Sequence, residues 1–257
     1  NKAAREMRER LAQRLGDSPL PLVVTFHGLG RVLLERFGSR IGVPRYFSIF
    51  DRDDSERAIK EALKALDVDP KEVPPRTILS RISKAKGEGM TAQAFKEKHG
   101  RDSFRNRVTS EVWEKYDNTL KKEKSLDFDD LICLPVQLLK AHDDVRAQAA
   151  DLFSYVHVDE YQDTNALQGE LAGYLAANHG NIFVVGDIDQ TIYTWRGATI
   201  ENLLSFEQTY PSARTIVLAH NYRSTRTIVE AANQIIEKNH NRKEKISVTD
   251  NPDGDPI

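Results

Sequence analysis

Two short apolar runs in this sequence each end in carboxylates. Residues 155–158 (Tyr-Val-His-Val) lead into Asp159 and Glu160, and residues 182–187 read Ile-Phe-Val-Val-Gly-Asp. Such runs are typical of the carboxyl edge of an open α/β sheet, where phosphate-handling sites lie. There Asp159 could hold Mg²⁺, which prefers hard oxygen ligands, and Glu160 could activate an attacking water. Taken alone, the first run is more typical of a solvated strand end or a helix cap.

The stretch after the second run is polar but carries aromatic side chains. Gln190, Tyr193, Trp195 and Arg196 lie within seven positions. A glutamine amide can report a terminal phosphate by hydrogen bonding, and exposed aromatic rings can stack on nucleobases, each stack being worth ~1–3 kcal/mol. Trp195 could instead fill a core, because tryptophan is usually largely buried. Its polar neighbours favour a surface position.

These motifs resemble those of the UvrD/Rep/PcrA group of superfamily-one DNA helicases, and most of all its PcrA-like members. Residues 159–164 (DEYQDT) resemble helicase motif II, and residues 186–198 resemble motif III. Four further segments match in the order of the family. They are residues 1–7 (the end of motif Ia), 25–29 (motif Ib), 126–131 (an element ahead of motif II) and 221–225 (motif IV).

The resemblance implies an α/β fold with a RecA-like parallel sheet flanked by helices and an inserted all-helical subdomain. It implies that the sheet is incomplete, because the strand that carries the phosphate loop is missing from this sequence. Residues 1–50 and 126–220 would belong to motor domain 1A, and residues 51–125 to the helical insertion 1B. Residues 221–257 would begin the second motor domain, 2A.

The resemblance also implies roles in ATP hydrolysis for residues at matching positions. Asp159 would help to hold Mg²⁺, and Glu160 would activate the water. Gln190 would sense the γ-phosphate of ATP. Arg223 would contact the γ-phosphate as charge develops, a role worth ~10³–10⁵ in rate in related chemistry, and Tyr222 would stack on the adenine.

The implied substrates are single-stranded DNA and duplex junctions, on which the motor would move 3′ to 5′. The residues implied to contact DNA are Thr25, His27, Phe128, Tyr193, Trp195 and Arg196. His27 could equally be a structural group, and Phe128 could be a hydrophobic staple for the helix that follows it. The resemblance further implies a place in the bacterial cytosol, with repair or replication proteins as possible partners.

The elements that must position these residues are predicted from periodicity and from Pro, Gly and capping residues. Residues 51–124 show a helical pattern without alternating strands, which suggests a separate subdomain. Strands are predicted at 22–26, 155–158, 182–185 and 215–218. Helices are predicted at 1–15 (capped by Asn1), 29–37, 53–66, 78–84, 104–123, 127–139, 166–177 and 200–208. A last helix is predicted to follow a cap at 221–224 and to run to about 238.

Composition sets broad limits on the kind of protein. The 257 residues are 39% hydrophobic and 30% charged, which suffices for a packed core, and no apolar run reaches the ~18–20 residues of a membrane span. Cys133 is the single cysteine, so an intramolecular disulfide is impossible and a reducing, intracellular setting fits. Although the net charge is −2, residues 71–124 carry 14 Lys/Arg and 8 Asp/Glu. This basic segment could attract phosphates, or it could be an ordinary charged helical surface.

The sequence contains no Gly-x-x-x-x-Gly-Lys-Ser/Thr phosphate loop. We therefore expect that the chain alone hydrolyses no ATP, because the amides and the lysine that stabilise phosphoryl transfer are absent. Three functions stay open. They are the core of a working helicase, a nucleotide-independent single-strand DNA-binding module, and a helicase-like subunit of a nuclease complex.

Overall fold

The computed structural model describes residues 2–192, 197–238 and 245–256. The chain divides into two compact units, one formed by residues 1–157 and 165–183 and the other by residues 158–164 and 184–257. We call them the first and second unit. Across the described ranges, no helix is both long enough and apolar enough to cross a membrane.

Most of the regular structure is helical. The helices are α1 (Lys2–Leu15), α2 (Phe26–Phe37), α3 (Arg52–Lys64), α4 (Pro75–Gly87), α5 (Ala92–His99), α6 (Phe104–Lys122), α7 (Asp130–Ala141), α8 (Asp143–Asp151), α9 (Ala166–Ala176), α10 (Glu201–Leu204), α11 (Phe206–Thr209) and α12 (Arg226–Ile236). The strands are β1 (Ser48–Ile49), β2 (Ser125–Leu126), β3 (Val156–Val158) and β4 (Ile182–Val184).

Helices α3 to α6 form a block between β1 and β2, which pair in parallel, Ser48 with Ser125 and Ile49 with Leu126. The chain therefore enters and leaves the helical block at neighbouring positions. The prediction of a helical segment over 51–124 is confirmed. The block has its own apolar core, whose fully buried members include Ile59, Leu63, Ile78, Ile82, Val112, Trp113 and Tyr116.

Local capping explains where several of these helices begin. Asp51 caps α3 in a capping box with Asp54, Thr91 caps α5, and Ser103 caps α6. In each case a side-chain oxygen accepts a bond from an N–H group in the first turn, which has no partner inside the helix. Proline occupies the first position of α4, where its missing N–H costs nothing.

A second core of the first unit lies among α2, α7, α8 and α9. Leu33, Leu138, Leu139 and Leu171 are fully buried in it. Helices α2 and α7 approach so closely at Gly30 that a Cβ there would lie 1.7 Å from the carbonyl oxygen of Leu131. Only glycine permits that approach.

A buried ionic network joins α4 to the start of α7. The Lys86 ammonium lies 2.8 Å from Asp127 Oδ2 and 2.7 Å from Asp130 Oδ1. The Tyr116 hydroxyl lies 3.1 Å from Asp127 Oδ2 and 2.9 Å from Ser55 Oγ. Burial alone would lower the pKa of Lys86, but the two carboxylates hold it well above its ordinary value. The lysine therefore stays charged and contacts both carboxylates, while burial raises the pKa of Asp130 above its ordinary value.

Asp127 and Asp130 also stabilise the start of α7. Asp127 and Asp130 exchange hydrogen bonds at the start of α7, since Asp127 Oδ1 accepts from the Asp130 N–H at 2.9 Å and Asp130 Oδ2 accepts from the Asp127 N–H at 3.1 Å. Both are thus structural: Asp130 lies in the first turn of α7, where the helix dipole favours an acid, and Asp127 lies just before the helix. Their pairing with Lys86 was not predicted.

The structure describes a second small sheet, formed by two strands of three residues each. β3 pairs with β4, through bonds from the Val156 N–H to the Asn181 carbonyl and from the Val185 N–H to the Val158 carbonyl. The molecule is therefore a mixed α/β protein with small parallel sheets. The larger RecA-like sheet stays a prediction.

The predicted strands at 22–26 and 215–218 are wrong. Residues 20–25 are irregular, Phe26 begins α2, and residues 213–219 contain no strand. A strand needs a neighbour for its backbone hydrogen bonds, and no described strand lies beside either run. Their apolar side chains are accordingly exposed, among them Leu22, Val24, Ile216, Val217 and Leu218.

Other differences concern helix boundaries. The helix predicted at 200–208 is two short helices, α10 and α11, that meet at Ser205. The last helix, predicted to follow a cap at 221–224 and to run to about 238, begins at Arg226 after the N-cap Thr225 and ends at Ile236. Asn1, the predicted cap of α1, lies outside the described residues.

Replacing Lys86 with Met should destabilise the chain by about 3–5 kcal/mol, because the change leaves two buried carboxylates without their cation. The measurement is urea denaturation followed by circular dichroism. Lys84→Met is the matched control, since Lys84 lies on the same helix but is exposed. If both variants lose an equally small free energy of unfolding, the buried network does not stabilise the fold.

Candidate functional site

The two acids after β3 lie at the surface of the second unit. Asp159 and Glu160 are both exposed. Glu160 adopts a left-handed backbone conformation, with φ 51° and ψ 45°, and its N–H donates to Asp159 Oδ1 at 3.0 Å. A non-glycine residue in this conformation costs on the order of 1–3 kcal/mol, and such strain is found where surrounding bonds hold a functional side chain.

Gln162 lies behind Glu160 and is buried, with only 1% of its surface exposed. Its Nε2 donates to Glu160 Oε2 at 2.7 Å, and its Oε1 accepts from the Asp187 N–H at 3.0 Å. One side chain therefore connects the acid after β3 to the turn after β4. Buried polar groups require such partners, because an unmade bond costs ~1–3 kcal/mol.

The turn after β4 is built around Asp187. Its Oδ1 accepts from the Asp189 N–H at 3.0 Å, and its Oδ2 accepts from Gln190 Nε2 at 2.8 Å. The Lys245 ammonium also contacts Asp187 Oδ1. Although burial alone would raise the pKa of Asp187, Lys245 and Gln190 hold it below its ordinary value. The carboxylate thus stays ionised and orients the exposed Gln190.

Gly186 allows this turn to approach Gln162. A Cβ at position 186 would lie 2.7 Å from Gln162 Oε1 and 3.3 Å from Leu203 Cδ2. No real side chain tolerates the first of these distances. The glycine is therefore needed for the bond between Gln162 and Asp187.

Tyr222 and Arg223 occupy a turn before α12. Asn221 Oδ1 accepts from the N–H groups of Arg223 and Ser224, at 2.9 and 2.8 Å. Residues 221–224 line a surface depression of about 450 Å³. The Tyr222 ring is 84% exposed, and its centroid lies 4.4 Å from that of His220. This turn could take an aromatic base against the tyrosine.

The structure thus joins some of the predicted ATP-site residues and not others. Glu160 and Gln190 are connected through Gln162 and Asp187 by three hydrogen bonds. Within the described ranges, the Arg223 guanidinium makes no salt bridge to Glu160 and no hydrogen bond to Gln190.

The donor set at Asp159 suits magnesium. Among the described residues, no three His, Cys, Asp or Glu side chains cluster in a way that could enclose a metal ion. Mg²⁺ does not require such a cluster, because it keeps several waters and binds one or two carboxylates together with substrate phosphates. The exposed Asp159 carboxylate, beside a second acid, fits that mode of binding.

A different part of the chain, in the first unit, brings two of the predicted DNA-contacting residues together. The rings of His27 and Phe128 meet edge to face, with centroids 5.8 Å apart, although 101 positions separate them. Phe128 is 55% exposed. Burial lowers the pKa of His27, so the imidazole is neutral at neutral pH and can contact a phosphate only by hydrogen bonding.

The remaining predicted DNA contacts divide into two groups. The Thr25 side chain caps α2 by accepting from the Gly28 N–H at 3.2 Å, which gives it a structural role at the same helix end as His27. Tyr193, Trp195 and Arg196 lie outside the described residues.

Sequence reasoning missed Gln162, Gly186 and Asp187 as organising residues of the site. The available signal was their position inside the two motifs at 159–164 and 186–198. Lys245 gave no signal at all, because it lies 58 positions from its partner Asp187.

The sequence matches two family models. Residues 1–211 match the UvrD/REP helicase N-terminal domain, and residues 216–257 match the UvrD-like helicase C-terminal domain. Together they cover nearly the whole chain.

Three curated relatives carry the name ATP-dependent DNA helicase PcrA. The Bacillus subtilis (strain 168) protein is 46% identical over 255 residues, which are 99% of this chain and 34% of the relative. The Staphylococcus aureus (strain Mu50 / ATCC 700699) protein is 43% identical over 258 residues, 100% of this chain and 35% of the relative. The Leuconostoc citreum protein is 43% identical over 259 residues, which are 100% of this chain and 34% of the relative. The chain spans about a third of the length of these relatives.

Gly186→Ala should destabilise the second unit by about 1–3 kcal/mol, because the added methyl group overpacks the Gln162 side chain. The readout is hydrogen–deuterium exchange over residues 158–164 and 184–192. Gly87→Ala is the control, since a Cβ there meets nothing within 4 Å and the change should be neutral or stabilising by up to about 1 kcal/mol. Unchanged protection in Gly186→Ala would contradict the close approach.

Proposed function

The chain belongs to the UvrD/REP helicase family, and on that premise we propose that it is part of an ATP-dependent DNA helicase. It would supply the water-activating and phosphate-sensing side chains of the ATPase site. The hydrogen-bonded connection from Glu160 to Gln190 is the observation that carries this proposal, because hydrolysis needs a base and a phosphate contact held in one fixed arrangement.

The residues of the site take the following roles in hydrolysis. The Glu160 carboxylate accepts a proton from the water that attacks the γ-phosphate. Gln190 donates a hydrogen bond to that phosphate and so registers whether it is present. Asp159 would hold Mg²⁺, which neutralises charge on the phosphate oxygens when bound.

Two exposed side chains complete the nucleotide site. Arg223 stabilises the negative charge that develops on the phosphate, and Tyr222 stacks on the adenine. The exposure of the Tyr222 ring and the depression lined by residues 221–224 support the stacking role.

DNA would be bound as a single strand along residues of the first unit. The exposed Phe128 offers a ring on which a base can stack, and the neutral His27 can donate to a phosphate beside it. Tyr193, Trp195 and Arg196 would also contact the DNA. The motor would move 3′ to 5′, open duplex junctions, and work in the bacterial cytosol with repair or replication proteins.

The domain boundaries proposed for this function are those of the family. Residues 1–50 and 126–220 would form motor domain 1A, residues 51–125 the insertion 1B, and residues 221–257 the start of motor domain 2A. The pairing of β1 with β2 at the two ends of the helical block supports the first two boundaries.

The isolated chain should release no phosphate from ATP, with or without single-stranded DNA, because it lacks a lysine-bearing phosphate loop. A coupled phosphate-release assay measures this, and Glu160→Gln serves as the background control. DNA-stimulated hydrolysis that disappears in Glu160→Gln would contradict the expectation.

The full-length protein encoded by the gene that contains these residues tests the proposed function itself. It should hydrolyse ATP in a DNA-dependent manner, and Glu160→Gln should lower kcat by at least about 10²-fold, the usual contribution of a general base. Retention of wild-type kcat by Glu160→Gln would remove Glu160 from the mechanism. DNA binding without any ATP hydrolysis would favour a nucleotide-independent binding module.

Phe128→Ala should weaken binding of single-stranded DNA by about 1–3 kcal/mol, through the loss of one stacked base. Fluorescence anisotropy of a labelled oligothymidylate measures the affinity. Phe183→Ala is the matched control, because Phe183 is 54% exposed and also lies against a histidine, His157, at 5.6 Å. Equal affinities of the two variants would exclude Phe128 from the DNA track.

A further inference from the structure

We propose that Gln162 is a positioning residue for ATP hydrolysis, which fixes the Glu160 carboxylate and ties it to the turn that carries Gln190. The inference deepens the proposed function and rests on it, because it takes Glu160 as the residue that activates water. Gln162 itself touches neither nucleotide nor water. It acts through the two residues to which it is bonded.

The amide of Gln162 has only one orientation that satisfies its partners. The Asp187 backbone N–H can only donate, so the atom that faces it must be the amide oxygen. The amide nitrogen must then face Glu160 Oε2, where it donates at 2.7 Å. The direction of the hydrogen bond to Glu160 is therefore set by a backbone group on a separate segment of the chain.

Burial makes this orientation rigid. Gln162 is 1% exposed, so water cannot replace either partner, and breaking one bond would leave a buried polar atom unsatisfied. Gly186 leaves space for the Gln162 amide oxygen, because a Cβ at position 186 would lie only 2.7 Å from it. The Gln162 side chain thus has neither an alternative partner nor room to move.

Glu160 needs such a support. Its backbone is left-handed, and its side chain is exposed to solvent, where a glutamate would ordinarily sample several rotamers. The bond from Gln162 holds one carboxylate oxygen and leaves the other for a water. A displacement of about 1 Å at such a group can cost ~10²-fold in rate.

The same side chain fixes the spacing between the base and the phosphate sensor. Gln162 is bonded to the backbone of Asp187, whose Oδ2 accepts from Gln190 Nε2 at 2.8 Å. Glu160 and Gln190 are consequently held by one chain of three bonds. Removal of Gln162 separates them without changing either residue.

The test uses the full-length protein and two substitutions. Gln162→Met removes both hydrogen bonds at similar volume. Gln162→Glu keeps an acceptor for the Asp187 N–H but places a second carboxylate against Glu160. Because it preserves the contact with the turn, it can be used if Gln162→Met fails to fold. We expect both to lower kcat for ATP hydrolysis by about 10–100-fold with KM for ATP within about twofold of wild type. A wild-type kcat in either folded variant overturns the proposal.

A double-mutant cycle distinguishes positioning from a merely structural role. If Gln162 acts through Glu160, Gln162→Met should lower the residual kcat of Glu160→Gln by less than about twofold, because the group that it positions has already lost its function. Losses that multiply in the double variant overturn the proposal. Gln168→Met is the control. Gln168 is half-buried, and its amide oxygen accepts a hydrogen bond from the Asn165 N–H in the capping box of α9, so its replacement should leave kcat unchanged.

The outcomes also separate this inference from the proposed function. If Glu160→Gln loses activity while Gln162→Met keeps it, only the role of Gln162 fails. If the wild-type full-length protein hydrolyses no ATP, or Glu160→Gln is fully active, the proposed function fails and the role of Gln162 fails with it.

Discussion

A single ammonium group buried between two carboxylates determines how the first unit is assembled. Lys86 lies on α4, and its partners Asp127 and Asp130 lie at the start of α7. Charges removed from water are tolerated only when partners are held at hydrogen-bonding distance, so this contact fixes the helical block against α7. Helix α7 is in turn fixed against α2, because no side chain separates them at Gly30. The position of the start of α2 follows from these two constraints.

The same network has a consequence for the candidate DNA contact. Phe128 lies between the two aspartates, and its ring meets that of His27 at the start of α2. The exposed ring is thus carried by a segment whose neighbours on both sides are anchored by buried charges. A binding group placed in this way loses little conformational entropy when a ligand arrives.

The second unit uses a neutral amide for the same purpose. The exposed Glu160 and Gln190 are the groups suited to water and phosphate, whereas the buried Gln162 and the ionised Asp187 hold them in place. In both units the functional side chains lie at the surface, and their positions are set by polar groups beneath them. Each of those polar groups is held by hydrogen bonds to partners inside the protein.

The sequence by itself determined the family, the helices and the residues suited to chemistry. Helix α6, predicted at 104–123 and found at Phe104–Lys122, shows why, since periodicity and caps act between residues three or four apart. Tertiary structure alone decided the rest. The runs at 22–26 and 215–218 have strand composition but no neighbouring strand, and a strand exists only through its partner. Likewise, Lys86 and Asp127 are 41 positions apart and Gln162 and Asp187 are 25 apart, so no local pattern could pair them before the chain had folded.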